Sequence, residues 1–506
     1  MTGADAAARR TGENEPDPRR WRVLAVLVVA LFMSLVDVSI VNVALPSIQS
    51  GLHASDSELQ WVLSGYALTF GVGLVSAGRA GDIFGRGPLF IVGVALFTLA
   101  SAASGAAPTA LWLNIARAVQ GIASGLFNPQ VIGMIQQYFR GAERGRAFGI
   151  FGGAVGVSVA VGPLLGGLLI HLGGAAEGWR WVFYVNLPVG VLAIVLALVW
   201  FPRPLRNSVR LRTDAERVTT GALRTDPSIP RQSRDLDVTG AVILGLAVVA
   251  VLFPFLQSRE SAFVWIALPV GLALLALWLW WERRFKRLGR SPMVDLAIFR
   301  VRSFANGTLL VGLYFLGMTS IWVLIALYFQ DGLGHSALAT GLVGLPNAIV
   351  SGLASLWAGR KVATYGRKVV IGGLYFALFG LAASAFVVWL HELGVASEWW
   401  LLLTLCFVGI AQGSVISPNQ TLTLAEVPLR YAGSSGGIMQ TGQRIGTSVG
   451  IAVITAVAFS VLGAGGWSGA FIAGLAAIFV VVVLALVVGY ADLRSRRGDT
   501  DPLGGR

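Results

Sequence analysis

The stretch RVLAVLVVALFMSLVDVSIVNVAL, residues 22–45, holds one acid, Asp37, in an otherwise apolar run bounded by Arg22 and Pro46. At ~1.5 Å per residue such a run crosses a bilayer core of ~30 Å. Lipid offers no partner to a backbone N–H or C=O, so a run of this kind has to be helical. It is too long for a signal-peptide core, carries Asp37 and enters Pro46 without a small-residue cleavage site, so it reads as a retained span. Similar blocks recur at 60–79, 88–107, 110–133, 146–171, 180–201, 237–257, 262–282, 303–329, 337–358, 367–389, 397–424, 432–462 and 467–490. The expected fold is therefore an all-α integral membrane protein with fourteen transmembrane helices. Composition agrees: 55% of the 506 residues are hydrophobic and 12% charged, about half the charge of a soluble chain.

The net charge of +13 would suit a nucleic-acid binder, but the basic residues sit in short connections between apolar blocks, where they set membrane orientation. With the N terminus inside and the spans alternating, 34 of the 38 Lys and Arg fall on the inner side. The exceptions are Arg180 and Arg259 outside and Arg117 and Arg444 within spans. This register needs an even number of spans and puts both termini in the cytoplasm. The expected organisation is a disordered N terminus at 1–21, a six-helix half at 22–201, an Arg- and Pro-containing linker at 202–236, two inserted helices at 237–282, a loop at 283–302, a second six-helix half at 303–490 and a tail at 491–506. One cysteine, Cys406, excludes an intrachain disulfide or cysteine metal site. His53, His171, His335 and His391 are too scattered to suggest a metal site. A monomer in the bilayer, with a small molecule as its other partner and no nucleic acid, is expected.

The two halves repeat. The fourth block carries Gln120-Gly121 and, later, Asn128-Pro129-Gln130; the twelfth carries Gln412-Gly413 and Ser417-Pro418-Asn419-Gln420. The connection Gly78-Arg-Ala-Gly-Asp82-Ile-Phe-Gly85-Arg86 returns as Gly359-Arg-Lys-Val-Ala363-Thr-Tyr-Gly366-Arg367. Two matches in the same order, on the same side, describe a parallel duplication of the kind that rocks about a central site.

Several residues stand out on physical grounds. A carboxylate inside a span is costly and functional by default. Burial disfavours its charged form and a nearby cation favours it, so Asp37 is a candidate proton carrier. Arg117 lies at a similar depth, ~10–14 Å below the outer surface, where it meets Asp37 across the cavity if the two helices face each other. Glycines between Gly149 and Gly167, with Pro163, allow close helix approach and suit either a seal between halves or plain packing. Arg444, with Gln443 beside it, needs a partner or water and either lines the cavity or stabilises an interface. Asn42, Trp61, Tyr66, Gln120, Gln130, Trp322, Tyr328, Asn419 and Gln420 are candidates for lining a cavity that takes bulky amphiphiles.

Five motifs together resemble the major facilitator superfamily, and most closely its fourteen-span drug:proton antiporters. Leu35-Val-Asp37-Val-Ser-Ile-Val-Asn42-Val-Ala-Leu-Pro46 is similar to that group's first-span signature, with Ser39 where Thr is usual. Gly78, Asp82, Gly85 and Arg86 resemble the superfamily's cytoplasmic-loop motif, departing from it at Gly81, Ile83 and Gly87. Arg117-Ala-Val-Gln120-Gly121 resembles the fourth-span motif. Gly156, Gly162, Pro163, Gly166 and Gly167 resemble the fifth-span motif of antiporters. Trp179-Arg-Trp181-Val-Phe-Tyr-Val-Asn186-Leu-Pro188-Val-Gly190 resembles the entry to the sixth span. The resemblance implies two six-helix bundles plus two inserted helices, and a proton-coupled antiporter that exports drugs or antibiotics across the cytoplasmic membrane with no cofactor other than the proton. It also implies that Asp82 and Arg86 latch the outward-facing state, with Gly78 and Gly85 shaping that loop and Gly162, Pro163 and Gly166 taking part in gating. Asp82 is further expected to cap the helix that follows it.

No Gly-x4-Gly-Lys-[Ser/Thr] phosphate loop occurs, so an ion gradient is the expected energy source. One proton crossing 100 mV supplies ~2.3 kcal/mol, about a fortyfold concentration ratio. The alternatives are a symporter or facilitator for a nutrient, and a non-transporting sensor. No nucleophile–base or metal constellation suggests an enzyme.

Overall fold

The computed structural model describes residues 19–174, 177–202, 236–256 and 262–499. The expected disordered N terminus up to residue 18, the linker at 203–235 and the tail from 500 lie outside the described residues. The chain is helical throughout: α1 (Arg20–Leu52), α2 (Asp56–Phe84), α3 (Arg86–Gly105), α4 (Ala110–Tyr138), α5 (Gly141–Gly173), α6 (Gly178–Tyr184) and α7 (Asn186–Trp200) build the first half. The two helices expected as an insertion, hereafter the inserted pair, correspond to α8 (Val238–Leu256) and α9 (Ala267–Arg287). The second half comprises α10 (Arg302–Met318), α11 (Ser320–Leu327), α12 (Ala337–Tyr365), α13 (Arg367–Glu392), α14 (Leu401–Thr423) and α15 (Ala432–Asp499).

Twelve helices among the described residues are long and apolar enough to cross a membrane. This is fewer than the fourteen blocks expected, for two reasons. α4 falls outside that set; Arg117 and Gln120 are among the polar residues it buries. The last two blocks run as one helix, α15, bent at Gly466, whose φ of 59° and ψ of −167° break the helical path.

Other boundaries shift for local reasons. α1 does not stop before Pro46 but continues six residues past it; in a bilayer the helix remains the cheapest way to pair the backbone on either side of the missing N–H. α2 starts four residues before its apolar block, on a capping box in which Ser55 and Glu58 satisfy each other's backbone N–H. The expected sixth span runs through α6 and α7, which continue one another across Val185 with its dihedrals still helical, φ −58° and ψ −25°. The tail expected from 491 begins as helix, and its Asp492 is fully buried.

One apolar core is centred on α1 to α5 and α7 and draws in Phe304, Leu424 and Met439 from the second half; another lies wholly in the second half. In the first, Phe97 and Phe90 pack edge-on against Phe127 at 6.0 and 6.1 Å. In the second, Tyr314, Tyr328 and Phe471 lie in a cluster with residues of α12 to α14. The inserted pair lays Leu244, Val248 and Leu252 on Leu68 and Val75 of α2. Large apolar residues such as Leu99, Val199 and Leu353 point outward, as a lipid-facing surface requires.

Two seams join the halves. In one, Gly78 of α2 meets Gly433 at the start of α15 so closely that a Cβ on Gly78 would lie 2.3 Å from the Gly433 carbonyl oxygen. In the other, Gly145 and Gly149 of α5 abut Gly359 and Ser355 of α12, and Ser355 donates to the Gly149 carbonyl at 3.1 Å. Both seams lie toward the end of the bundle that carries Arg86, Arg144 and Arg367, hereafter the basic face.

Candidate functional site

The acid of the opening stretch lies in the middle of the first half. The Asp37 side chain is 0% exposed and that of Arg117 1%, and the Arg117 Nη1 donates to Asp37 Oδ2 at 2.6 Å. The other carboxylate oxygen accepts from Gln120 Nε2 at 2.9 Å and from Asn186 Nδ2 at 2.8 Å. Ser101 of α3 accepts from Asn186 at 2.9 Å and donates to the Phe183 carbonyl at 3.0 Å. Arg117 also donates to the Val62 carbonyl and to Gln120 Oε1. Its guanidinium lies 4.3 Å from the centre of the Tyr66 ring, whose hydroxyl pairs with Ser124.

The pair thus meets inside one half, among α1, α2, α3, α4 and the α6–α7 junction, and not across the space between halves. Asn186, at the start of α7, reaches the Asp37 carboxylate at 2.8 Å. Asn186 appeared in the sequence as part of a motif and Ser101 had no mark at all: a serine in a Gly/Ala/Ser-rich span carries no signal until its neighbours are known.

At the basic face, Asp82 and Arg86 are joined at 2.7 Å, with both side chains 3% exposed. Asp82 does not cap the following helix α3. Its oxygens accept from the backbone N–H groups of Gly433 and Ser434 at 2.9 and 3.0 Å, the first turn of α15 in the other half. Free N–H groups and a positive dipole end make that turn a natural carboxylate receptor. Arg86 spans the same gap, donating to Leu429 O at 2.9 Å as well as to Gln137 Oε1 at 2.8 Å. Gln136 and Arg144 add donors to the Leu424 carbonyl. Gly85 holds a φ of 103°, a value that L residues avoid, which turns the chain from α2 into α3.

The repeated connection behaves differently. Gly366 also has a positive φ, 53°, and Arg367 is buried like Arg86. With Ala363 in the place of the acid, Arg367 takes its carboxylate from Asp492 of α15 at 2.6 Å and also donates to Asn419. Asn419 in turn donates to Gly307 O at 2.9 Å.

The remaining candidates scatter. Gln120 belongs to the Asp37 cluster. Gln130 ties α4 to α2 through the Ala77 carbonyl at 2.8 Å, so together with Asn419 it is a packing group and not a cavity wall. Gln420 is 2% exposed. Asn42 is exposed and donates to Val38 O of its own helix. Trp61 packs beside the inserted pair and Trp322 over Gly344. Gly162 and Gly166 do not lie between the halves: they face Ser39 and Ile40 of α1, within their own half, and Pro163 lies between them in α5. The seam between the halves is made by the earlier glycines of α5. Gln443 and Arg444 are partly exposed on α15, the Arg444 guanidinium 4.2 Å from the centre of the Phe70 ring of α2.

Residues 27–261, 238–451 and 309–502 match the Major Facilitator Superfamily. The chain belongs to this superfamily. It is 31% identical over 88% of its length to the "Probable actinorhodin transporter" of Streptomyces coelicolor, covering 74% of that protein. It is 31% identical over 87% of its length to the "Puromycin resistance protein pur8" of Streptomyces alboniger, covering 82% of it. The "Tetracenomycin C resistance and export protein" of Streptomyces glaucescens is 30% identical over 86% of the chain, which covers 75% of that protein. Among solved structures, the proton:xylose symporter XylE superposes with a TM-score of 0.63 at 15% identity, over 94% of this chain and 96% of that one. The superfamily fold is thus common to both, and the sequence relatives place this major facilitator among transporters related to antibiotic export and resistance, not among enzymes.

Proposed function

We propose that the protein is a proton-coupled antiporter that exports small amphiphilic drugs or antibiotics across the cytoplasmic membrane. The observation that carries this reading is the Asp37–Arg117 pair, buried in the first half, with Gln120 and Asn186 donating to Asp37 and the Val62 carbonyl accepting from Arg117. Protonating Asp37 removes the counter-charge of a permanent cation in a dry site. Arg117 then has to lean on neutral acceptors, Gln120 Oε1 and the Val62 carbonyl, and on the Tyr66 ring. A single proton thereby rearranges the contact of α4 with α1 and α2, and α2 is the helix whose other end is latched to α15. The antibiotic exporters and resistance proteins among the relatives support the direction and the substrate class.

The chain crosses the membrane fourteen times in this reading. To the twelve apolar helices it adds α4, whose polar residues are satisfied inside the bundle, and it divides α15 at Gly466. The basic face is cytoplasmic, with both termini, because arginine collects there. The Asp82–Arg86–α15 latch then closes the cytoplasmic side, so the conformation is outward-facing. The protein works as a monomer.

The test is transport in proteoliposomes of defined orientation, with a panel of antibiotics and dyes and an imposed pH gradient. The wild type accumulates substrate against its gradient and a protonophore abolishes this. Asp37→Asn retains facilitated exchange but no longer follows the pH gradient. Gradient-driven accumulation by Asp37→Asn at the wild-type level would end the proposal.

A further inference from the structure

Three arginines are buried in this molecule with a carboxylate at hydrogen-bond distance: Arg86 with Asp82, Arg117 with Asp37 and Arg367 with Asp492. Like Arg79, which is buried with its Nε unpaired, Arg444 breaks the pattern. It lies twelve residues into α15, ~18 Å from the basic face, at about the depth of the two seams' upper end. Among the described residues it has neither a carboxylate partner nor a hydrogen-bond acceptor, and its close contact is the face of Phe70, 4.2 Å away. It is also partly exposed, where the three paired arginines are not. A cation at mid-depth needs either a counter-charge in the protein or an opening onto a polar space; Arg444, partly exposed and without a carboxylate, has the second and is free to take its counter-charge from whatever enters that space.

Its neighbours strengthen the point. Gln440, Gln443, Arg444 and Thr447 recur at the spacing of a single helical face. Gln440 Oε1 and Gln443 Nε2 have no partner, nor do the hydroxyls of Thr441 on the same helix and Thr308 on α10. Buried polar atoms are ordinarily paired, so an unpaired group of them beside an unpaired guanidinium describes a surface prepared for a polar ligand. The contact of Arg444 with Phe70 joins the two halves, and Phe70 packs at 5.9 Å against Tyr66, whose ring carries Arg117 on its face. Two aromatic rings therefore separate the unpaired arginine from Arg117, the partner of the buried acid.

We infer that Arg444 is the charge-reading residue of the substrate site and that the transported compound is an amphiphilic organic anion, a carboxylate or phenolate, held by the guanidinium with the amide and hydroxyl groups of the same face. A lone cation in a site of low dielectric attracts anions and repels cations of equal size. The inference rests on the export reading and narrows it. It also sets the electrical outcome: an anion leaving while a proton enters moves two positive charges inward per cycle, so the membrane potential drives export as well as the pH gradient.

Two dyes on one xanthene skeleton test it: fluorescein, an anion, and rhodamine 6G, a cation. Binding of each to the purified full-length chain in nanodiscs is measured for the wild type, Arg444→Lys, Arg444→Gln and Arg444→Glu, with thermal unfolding as the check that each variant is folded. The wild type is expected to prefer fluorescein by about tenfold or more, a difference well within what one desolvated charge confers. Arg444→Lys keeps the preference, Arg444→Gln removes it and Arg444→Glu reverses it. A wild type that binds rhodamine 6G as well as fluorescein, a preference unchanged in Arg444→Gln, or binding of neither dye overturns the inference. Transport separates it from the export reading. Proton-driven movement of rhodamine 6G but not fluorescein sinks the inference alone. Selective binding of fluorescein without gradient-driven movement sinks the export reading alone.

Discussion

Among the described residues, Asp37 and Arg117 form an ion pair with each other and with no further charged side chain. Removing the cation leaves a carboxylate buried with two amides, which costs about 3–5 kcal/mol in comparable buried pairs. Arg117→Ala is therefore expected to lower the unfolding temperature in detergent sharply, and Asp37→Asn combined with Arg117→Gln to recover part of the loss, since no charge then remains unpaired. Equal destabilisation in the single and double variants would show that packing and not charge holds this site together. The same reasoning applies to Arg367, whose loss takes away the cation paired with Asp492 and the donor to Asn419 Oδ1. Arg367→Ala is expected to destabilise by a similar ~3–5 kcal/mol, measured as loss of folded protein on heating. That second pair was invisible in the sequence, because Arg367 and Asp492 are 125 residues apart and Asp492 falls beyond the last apolar block.

At the level of elements, the start of α15 receives a carboxylate from α2, and the fit depends on two glycines. A side chain on Gly78 has no room against the Gly433 carbonyl, and forcing one in costs about 1–3 kcal/mol. That penalty falls only on the conformation in which the seam is closed. Gly78→Val is thus expected to shift the population toward the open seam by roughly tenfold or more, read as a longer distance between spin labels on the basic ends of α2 and α15. An unchanged distance distribution would mean that the seam yields without opening. The repeat in sequence made both connections look equivalent. In the structure they diverge, since Asp82 reaches across to the other half whereas Arg367 is satisfied within its own, and one alanine in place of an acid is the reason.

For the whole molecule, rocking of the halves requires the basic-face contacts to break in each cycle. Arg144 on α5 donates to the Leu424 carbonyl beyond α14, so cysteines at Arg144 and at the neighbouring exposed Ala425, in a Cys406→Ser background, can be bridged by a short bifunctional thiol reagent. The bridge is expected to arrest transport and its reductive release to restore it. Full turnover in the bridged protein would exclude rocking about this seam. The pair α8 and α9 packs on both helices of the first seam, since Leu68 and Val75 of α2 and Ile438 and Ile445 of α15 all lie against it.

Hydrophobic block length and the motifs within the blocks were enough to specify a helical membrane protein of the major facilitator superfamily, because lipid permits few ways to satisfy a backbone. The lone acid of the first span and the arginine of the fourth were legible for the same reason: charges in an apolar block have to be functional or paired. Which partner each charge takes was a matter for the folded chain. Asn186 at the α6–α7 junction, Asp492 on a helix expected to have ended and the N–H groups of Gly433 and Ser434 are brought to their acids or arginines only by packing between distant helices, and a carboxylate's neighbours in space leave no trace in its neighbours along the chain. Arg444 shows the converse, since only the folded surroundings reveal that no acid comes to meet it.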